Sequence, residues 1–232
     1  IILGQQAVDS KSNEITAIPE LLKLIDIKGT IVTIDAMGTQ KKIAKSITGK
    51  SADYVLALKE NQPSLHDDVK LLFEEQIDSG FKDIKYDYFE DTDGGHGRIE
   101  IRKHWITSDI DWLKKDHNWP GLTSIGMVES QRIINDITTT EIRLYVNSIE
   151  PNAKIFANAV RGHWGVENCL HWRLDVVFSD DQSRIRKGNS PANHLIFKQI
   201  AMNFLEKTPV KQSMNCKRKR AGWDKEFLKS VL

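Results

Sequence analysis

The sequence predicts an α/β fold whose core is interrupted by a β-rich insertion, and three observations lead to this class. Short apolar strands alternate with amphipathic helices up to residue 76, a pattern typical of α/β folds with some parallel strand pairing. Residues 77–150 then carry β-like runs, and a long helical region follows Pro151. We therefore expect a first core segment at residues 1–76, the insertion at 77–150 and a return to the core at 151–232.

The elements of the first segment can be predicted in order. A strand-like run opens the chain at residues 1–8, and Ser12 or Asn13 is the expected N-cap of a helix that Gly29 ends. The predicted elements that follow are an apolar strand at 30–35, a helix at 39–47, a second buried strand at 53–59 and a helix from Ser64 to Glu75. Both strands are rich in β-branched or apolar residues, so we expect them to be buried.

In the insertion, β-like runs occupy residues 86–89, 98–102, 123–128 and 142–146, with a turn predicted at residues 93–95. The helical region then continues, with breaks, to about residue 205.

Composition limits the class of protein. The 232 residues are 40% hydrophobic and 28% charged, which argues against disorder. The chain has neither a run of about 18 apolar residues nor the features of a signal peptide at its start. Its two cysteines, Cys169 and Cys216, indicate a reducing compartment rather than a disulfide scaffold. We therefore expect a cytoplasmic protein that does not contact a membrane.

Asp35 is the first candidate site residue. It stands at the carboxyl end of a predicted central strand, where open α/β sheets usually bind ligands. The small residues that follow, among them Ala36 and Gly38, leave room for a ligand to approach closely. The alternative is a purely structural role as the cap of the helix that begins near Thr39.

Glu167 is the second candidate. His163, Glu167, His171 and Asp175 recur every four residues and would form one polar stripe on a heavily buried helix. Gly162 and Gly165 cost such a helix about 1 kcal/mol each, which is easier to understand if something approaches closely. A solvated helix face and a zinc site formed by His163 and His171 remain alternatives, although the His-Glu-x-x-His spacing of zinc proteases is absent.

Basic residues are clustered, although the net charge is only +1. Arg184, Arg186 and Lys187 form one group and residues 217–220 (KRKR) form another, so either could bind phosphate or simply be solvated.

Other candidates for DNA contact lie earlier in the chain. Lys59, Asn61 and Gln62 follow the second buried strand, where they could contact DNA or cap the next helix. Arg98 and Arg102 share one face of a strand, where they could contact DNA or pair with Glu90 or Asp91.

Several longer motifs, taken together, resemble one family. They are residues 11–20 (KSNEITAIPE), 33–38 (TIDAMG), 54–62 (YVLALKENQ), 96–98 (HGR), 163–168 (HWGVEN) and 217–223 (KRKRAGW). This ordered set is similar to the bacterial insertion-sequence transposases that include the H-repeat-associated proteins. The resemblance covers essentially the whole chain.

The resemblance implies a ribonuclease H-like fold with an Asp-Asp-Glu metal site that binds Mg²⁺ or Mn²⁺. Its second aspartate corresponds to Asp35 and its glutamate to Glu167, while its first aspartate belongs to a strand that would precede Ile1. The implied activity is metal-dependent cleavage and transfer of DNA strands. The implied partners are the ends of the element, the target DNA and further copies of the chain, at the nucleoid.

Two expectations follow from the position of the first aspartate. With only two of three carboxylates, the 232-residue chain is expected to be inactive in strand cleavage. The alternative function is that of a degenerate transposase fragment that binds DNA without catalysis.

Overall fold

The computed structural model describes residues 1–6, 14–95 and 97–232, and it leaves the side chains of Glu14, Glu167 and Asn168 undescribed. The predicted cap residues Ser12 and Asn13, and His96 of the HGR motif, lie outside the described residues. The described residues divide into two compact units, one within residues 14–163 and one of residues 1–6 with 164–232.

The larger unit contains a six-stranded mixed sheet in the order β1-β2-β6-β5-β4-β3. Its strands are β1 (Ile31–Ile34), β2 (Asp53–Leu58), β3 (Tyr86–Gly95), β4 (Arg98–Thr107), β5 (Ser124–Ile134) and β6 (Ile137–Asn147). Strands β1 and β2 are parallel, with Ile34 opposite Leu56, and every other neighbouring pair is antiparallel. The mixed α/β class is therefore confirmed. The four β-like runs predicted between residues 77 and 150 form strands β3 to β6, which are antiparallel and belong to the same sheet as β1 and β2.

Helices pack on both sides of this sheet. They are α1 (Glu14–Leu24), α2 (Lys41–Thr48), α3 (Pro63–Ser79), α4 (Asp111–His117) and α5 (Ala153–His163). One apolar cluster joins α2 and α3 to the sheet through residues such as Ile43 and Phe73. A second cluster joins α5 to the opposite face through Phe156 and Val160.

The smaller unit is helical. After a π-helical turn (Val166–His171) come α6 (Trp172–Phe178), a 3₁₀ turn (Asp180–Gln182), α7 (Ser190–Lys207), α8 (Met214–Trp223) and α9 (Lys225–Val231). Its buried cluster is small and contains Leu205, Phe227 and Val231. Both cysteines lie in this unit as free, exposed thiols. Among the described residues, no helix is long and apolar enough to cross a membrane.

The strand predicted at the start of the chain was wrong for residues 1–6, which adopt no regular secondary structure. Instead, the backbone of Ile2 pairs with the side chain of Asn203 in α7. The Ile2 N–H donates to Asn203 Oδ1, and Asn203 Nδ2 donates to the Ile2 carbonyl, each over 2.9 Å. A side-chain amide can satisfy both polar groups of one residue, so an apolar run does not require a neighbouring strand. Residues 7 and 8 lie outside the described part.

Three local details also differ from the prediction. Strand β1 is half-exposed rather than buried, because it is at the edge of the sheet. Helix α3 begins at Pro63, so that Gln62 rather than Ser64 occupies the N-cap position. Residues 93–95 belong to β3, and the turn comes later, at Gly97, whose φ of 76° favours glycine.

Candidate active site

Asp35 follows the carboxyl end of β1 directly and is exposed to solvent. Its backbone is the N-cap of a 3₁₀ turn (Ala36–Gly38), and its Oδ1 accepts a hydrogen bond of 3.3 Å from the Gly38 N–H. The capping alternative is therefore realised, although for this short turn rather than for α2. A capping contact occupies one carboxylate oxygen and leaves the other available.

The carboxylate of Asp35 fits a hard cation. Among the described residues, Oδ2 has no hydrogen bond or ion pair, and the carboxyl group lies at the sheet edge where β1 and β2 both end. Magnesium and manganese prefer such oxygen ligands and retain water and phosphate as the others. Within the described side chains, no group of three or more His, Cys, Asp or Glu residues could hold a metal ion; the Glu167 side chain is not among them.

The space next to Asp35 is not open on every side. A Cβ atom at Gly38 would collide with the side chains of Ile34 and Ile18, so glycine is needed here for packing between β1 and α1. From its small size, Gly38 was predicted to make room for a ligand. Instead, the side chains of Ile34 and Ile18 fill the space next to it.

Loop residues after β2 reach back to the loop of Asp35. The side-chain amide of Asn61 donates to the carbonyl of Ala36, and that of Gln62 donates to the carbonyl of Thr39 over 3.1 Å. Because β1 and β2 are parallel, their carboxyl ends are adjacent. Lys59 is exposed at the same edge.

The polar residues around Glu167 do not follow the regular four-residue spacing that was predicted for them. Glu167 lies in the π-helical turn, whose wider turn breaks the four-residue register between His163, at the end of α5, and His171. The region is also less buried than predicted, since Trp172 is 58% exposed. A Cβ atom at Gly162 or Gly165 would meet no described atom within 4 Å, so close packing does not explain these glycines.

His163 packs against the strand that leads to Asp35. Its Nδ1 lies 3.3 Å from Oγ1 of Thr33 in β1, two residues before Asp35. Glu167 follows His163 by four residues along the chain. The carboxyl end of α5, from which the chain continues into the helix of Glu167, is thus held at β1.

Arg98 and Arg102 lie in a network of ion pairs. Arg102 pairs with Asp91 at 3.1 Å and with Glu100, while Arg98 pairs with Glu100 at 3.2 Å. Arg161 of α5 joins the network through Asp93 at 2.7 Å, and it lowers the pKa of that carboxyl by hydrogen bonding and charge. The predicted pairing of Arg102 with Asp91 is present, whereas DNA contact by the two arginines stays a prediction.

The two basic groups of the smaller unit differ from each other. Arg184, Arg186 and Lys187 are all exposed on the loop between α6 and α7, and Arg186 donates to two carbonyls of its own loop. In the second group, Lys217 is buried and binds the carbonyls of Leu205 and Thr208. Arg220 pairs with Asp224 and lies over the ring of Phe227. Much of the second group is therefore structural.

Comparison with known proteins decides the family. The sequence model of the transposase DDE domain matches residues 1–204. The chain belongs to the DDE transposase family. The resemblance that the motifs indicated is therefore confirmed, and this family implies a ribonuclease H-like fold.

Similar proteins carry related names. The chain is 41% identical to YncI of Escherichia coli O157:H7 and 40% identical to YhhI of E. coli K12, and it matches over its full length and over 60% and 62% of theirs. Both are provisionally named as transposases, YhhI as an H repeat-associated one. Protein YbfL of E. coli K12 is also 40% identical, over 62% of its length. The chain thus spans about three fifths of these relatives, and no solved structure matches it.

Thr39 and its hydrogen bonds were missed by the sequence analysis. Thr39 is fully buried, and its hydroxyl lies 2.6 Å from the carbonyl of Ala57 in β2. The only signal in the sequence was its position between the strand of Asp35 and the following helix, which does not distinguish a buried hydroxyl from an exposed one.

Proposed function

We propose that this chain forms a transposase catalytic domain for metal-dependent cleavage and transfer of DNA strands, with Asp35 and Glu167 as two of its metal ligands. The main supporting observation is the exposed carboxylate of Asp35, held by a short turn at the carboxyl edge of the sheet in a chain that matches the family over residues 1–204.

Carboxylate chemistry favours Mg²⁺ or Mn²⁺ at these residues. When bound, such ions stabilise the attacking and leaving oxygens of a phosphodiester during in-line displacement. In this proposal Asp35 would hold the ion through its carboxylate, which the hydrogen bond from the Gly38 N–H orients.

DNA contact is proposed for the exposed basic residues. Arg184 and Lys187 have no hydrogen-bond or ion-pair partner among the described residues, so their charges are available to phosphates. Arg186 and Lys59 are also exposed and are included. Arg98 and Arg102 support DNA contact less well, because neighbouring carboxylates neutralise them.

The same proposal covers the partners and location of the protein. Its DNA partners are the element ends and the target, it assembles with further copies of itself on them, and it acts in the cytoplasm at the nucleoid. The family and the names of the relatives support these points.

A nicking assay tests the proposed activity. Supercoiled DNA that carries the element ends is incubated with Mg²⁺ or Mn²⁺ and either the 232-residue chain or the product of the longest reading frame that contains it. We expect the product of the longer reading frame to nick this DNA, and Asp35→Asn and Glu167→Gln each to abolish the nicking. Asp53→Asn is the matched control, since Asp53 is an exposed carboxylate at the amino end of the neighbouring strand β2.

The assay also separates the alternative function. If both forms bind DNA but neither nicks it with any divalent ion, the chain is a DNA-binding fragment without catalysis. Nicking that persists in both Asp35→Asn and Glu167→Gln would contradict the assignment of these two residues.

A further inference from the structure

The loop that carries Asp35 is held by two side-chain amides from elsewhere in the chain. Residues 36–40 connect β1 to α2, and Asn61 and Gln62 follow β2. Asn61 Nδ2 donates to the Ala36 carbonyl and lies 3.5 Å from that of Thr39. Gln62 Nε2 donates to the Thr39 carbonyl over 3.1 Å. These amides bind main-chain acceptors just outside the first turn of α2.

Thr39 fixes the same loop from beneath. Its hydroxyl lies 2.6 Å from the Ala57 carbonyl in β2 and 3.2 Å from the carbonyl of Asp35 itself. The Thr39 N–H donates to Ala36, and the Gly38 N–H donates to Asp35. A displacement of the loop would therefore move the N–H group that orients the carboxylate.

We propose that Asn61 and Gln62 are positioning residues, which hold the loop of Asp35 in the conformation that binds the metal ion. This inference rests on the proposed function, because it takes Asp35 to be a metal ligand. Removing a group that holds a metal ligand in place lowers the affinity for the metal by about tenfold or more. From the sequence, these two side chains could contact DNA or cap the next helix; in the structure their amide donors are directed at the loop of Asp35.

The test uses variants that keep the side-chain size and remove the donor. Asn61→Leu and Gln62→Met replace each amide by an apolar group of similar volume. Gln131→Met is the control, since the Gln131 amide donates a single hydrogen bond of 2.9 Å to Glu129 in β5 and is not part of the Asp35 loop. Hydrogen exchange, Mn²⁺ titration followed by electron paramagnetic resonance, and DNA affinity without metal are measured for each protein.

We expect the amides of Gly38 and Thr39 to exchange faster in Asn61→Leu and Gln62→Met than in the control. Their Mn²⁺ affinity should fall about tenfold, while DNA affinity without metal stays unchanged. A merely structural role would leave the Mn²⁺ affinity at the level of Gln131→Met. That result, or a loss of metal-free DNA affinity instead, would overturn the inference.

Asp35→Asn, measured in the same way, separates this inference from the proposed function. If Asp35→Asn weakens Mn²⁺ binding and the amide variants do not, only the positioning role fails. If Asp35→Asn leaves Mn²⁺ binding unchanged, the metal site itself is wrong, and the positioning role is overturned with it.

Discussion

At the scale of single residues, the ammonium group of Lys217 caps the carboxyl end of helix α7. Lys217 is only 8% exposed, and its Nζ donates to the carbonyls of Leu205 at 3.1 Å and Thr208 at 2.8 Å. The last carbonyls of a helix lack partners within it and attract cations. A basic run in the sequence can thus contain a residue that stabilises the fold rather than a phosphate contact.

Replacement of Lys217 should therefore destabilise the protein. We expect Lys217→Met to lower the free energy of unfolding by about 1.5–3 kcal/mol, because hydrogen bonds to a charged group are lost and two carbonyls remain without their donor. Lys219→Met changes an exposed neighbour in α8 and should have little effect. Chemical denaturation of both variants checks this, and equal stabilities would contradict the buried role of Lys217.

His104 gives the stability a dependence on pH. It is 2% exposed, its Nδ1 lies 3.2 Å from the carbonyl of Phe89, and burial is the main cause that lowers its pKa below the usual 6.5. The charges of Arg102 and Arg161 also lower the pKa, while the Phe89 carbonyl and Asp91 oppose the shift.

The folded state disfavours protonated His104. Neutral His104 therefore contributes fully to the free energy of unfolding at pH values above the pKa that it has in the unfolded chain. This contribution is lost as the pH falls below about 6.5. His104→Gln should remove this part of the pH dependence. Denaturation of both proteins between pH 5 and 8, roughly the range in which histidine titrates, measures the difference. Parallel curves would show that the pKa of His104 is not lowered.

At the scale of elements, α5 packs on the sheet through an aromatic ring that lies over a glycine. A Cβ atom at Gly126 in β5 would lie 2.5 Å from Cζ of Phe156 in α5. The Phe156 ring is fully buried and has the Tyr145 ring edge-on at 5.3 Å. The position of α5, and with it the anchor of His163 on β1, depends on this contact.

Gly126→Ala should therefore overpack the interface and cost about 1–3 kcal/mol of stability. Phe156→Leu makes room, so the double variant should be more stable than the sum of the two single changes predicts. Gly94→Ala, where a Cβ atom would meet nothing within 4 Å, is the control. Additive effects in thermal unfolding would contradict the direct contact.

Elements with a strong local pattern were predictable from the sequence. The apolar run of β2 and the periodic residues of α3 gave the right kind of element, although α3 continues beyond its predicted end at Glu75 to Ser79. The start of the chain was not predictable, because its partner is a side chain 201 positions away. The π-helical turn was also missed, since apolar periodicity does not report a single wide turn.

The two candidate site residues were singled out from local patterns. Asp35 was singled out by its place at the end of a strand, and Glu167 by the polar stripe and then by the family resemblance; their roles stay predictions. The roles of Asn61, Gln62 and Thr39 depend on which carbonyls lie opposite them, and long-range hydrogen bonds of this kind leave no periodic signal.

At the scale of the whole molecule, charge is distributed unevenly. The net charge is +1, yet the loop between α6 and α7 exposes Arg184, Arg186 and Lys187. In the larger unit, carboxylates pair with Arg98, Arg102 and Arg161. Available positive charge is therefore a property of particular surfaces rather than of the chain.

DNA binding should accordingly weaken with salt through this loop. Between about 50 and about 200 mM salt, the logarithm of the affinity should fall linearly, and Arg184→Gln with Lys187→Gln should reduce the slope by about 2. Lys225→Gln with Lys229→Gln, exposed cations of α9, provides the control. Fluorescence anisotropy measures the slopes, and a slope that only the control pair changes would place the contact elsewhere.

If Asp35 and Glu167 are metal ligands, both contribute to the binding of a divalent ion by this chain. Titration of the 232-residue chain with Mn²⁺, followed by electron paramagnetic resonance, measures this binding without substrate or turnover. We predict that Asp35→Asn and Glu167→Gln each weaken Mn²⁺ binding by about tenfold or more, while Asp53→Asn binds as the unchanged chain does. Equal Mn²⁺ affinity in all four proteins would contradict the claim.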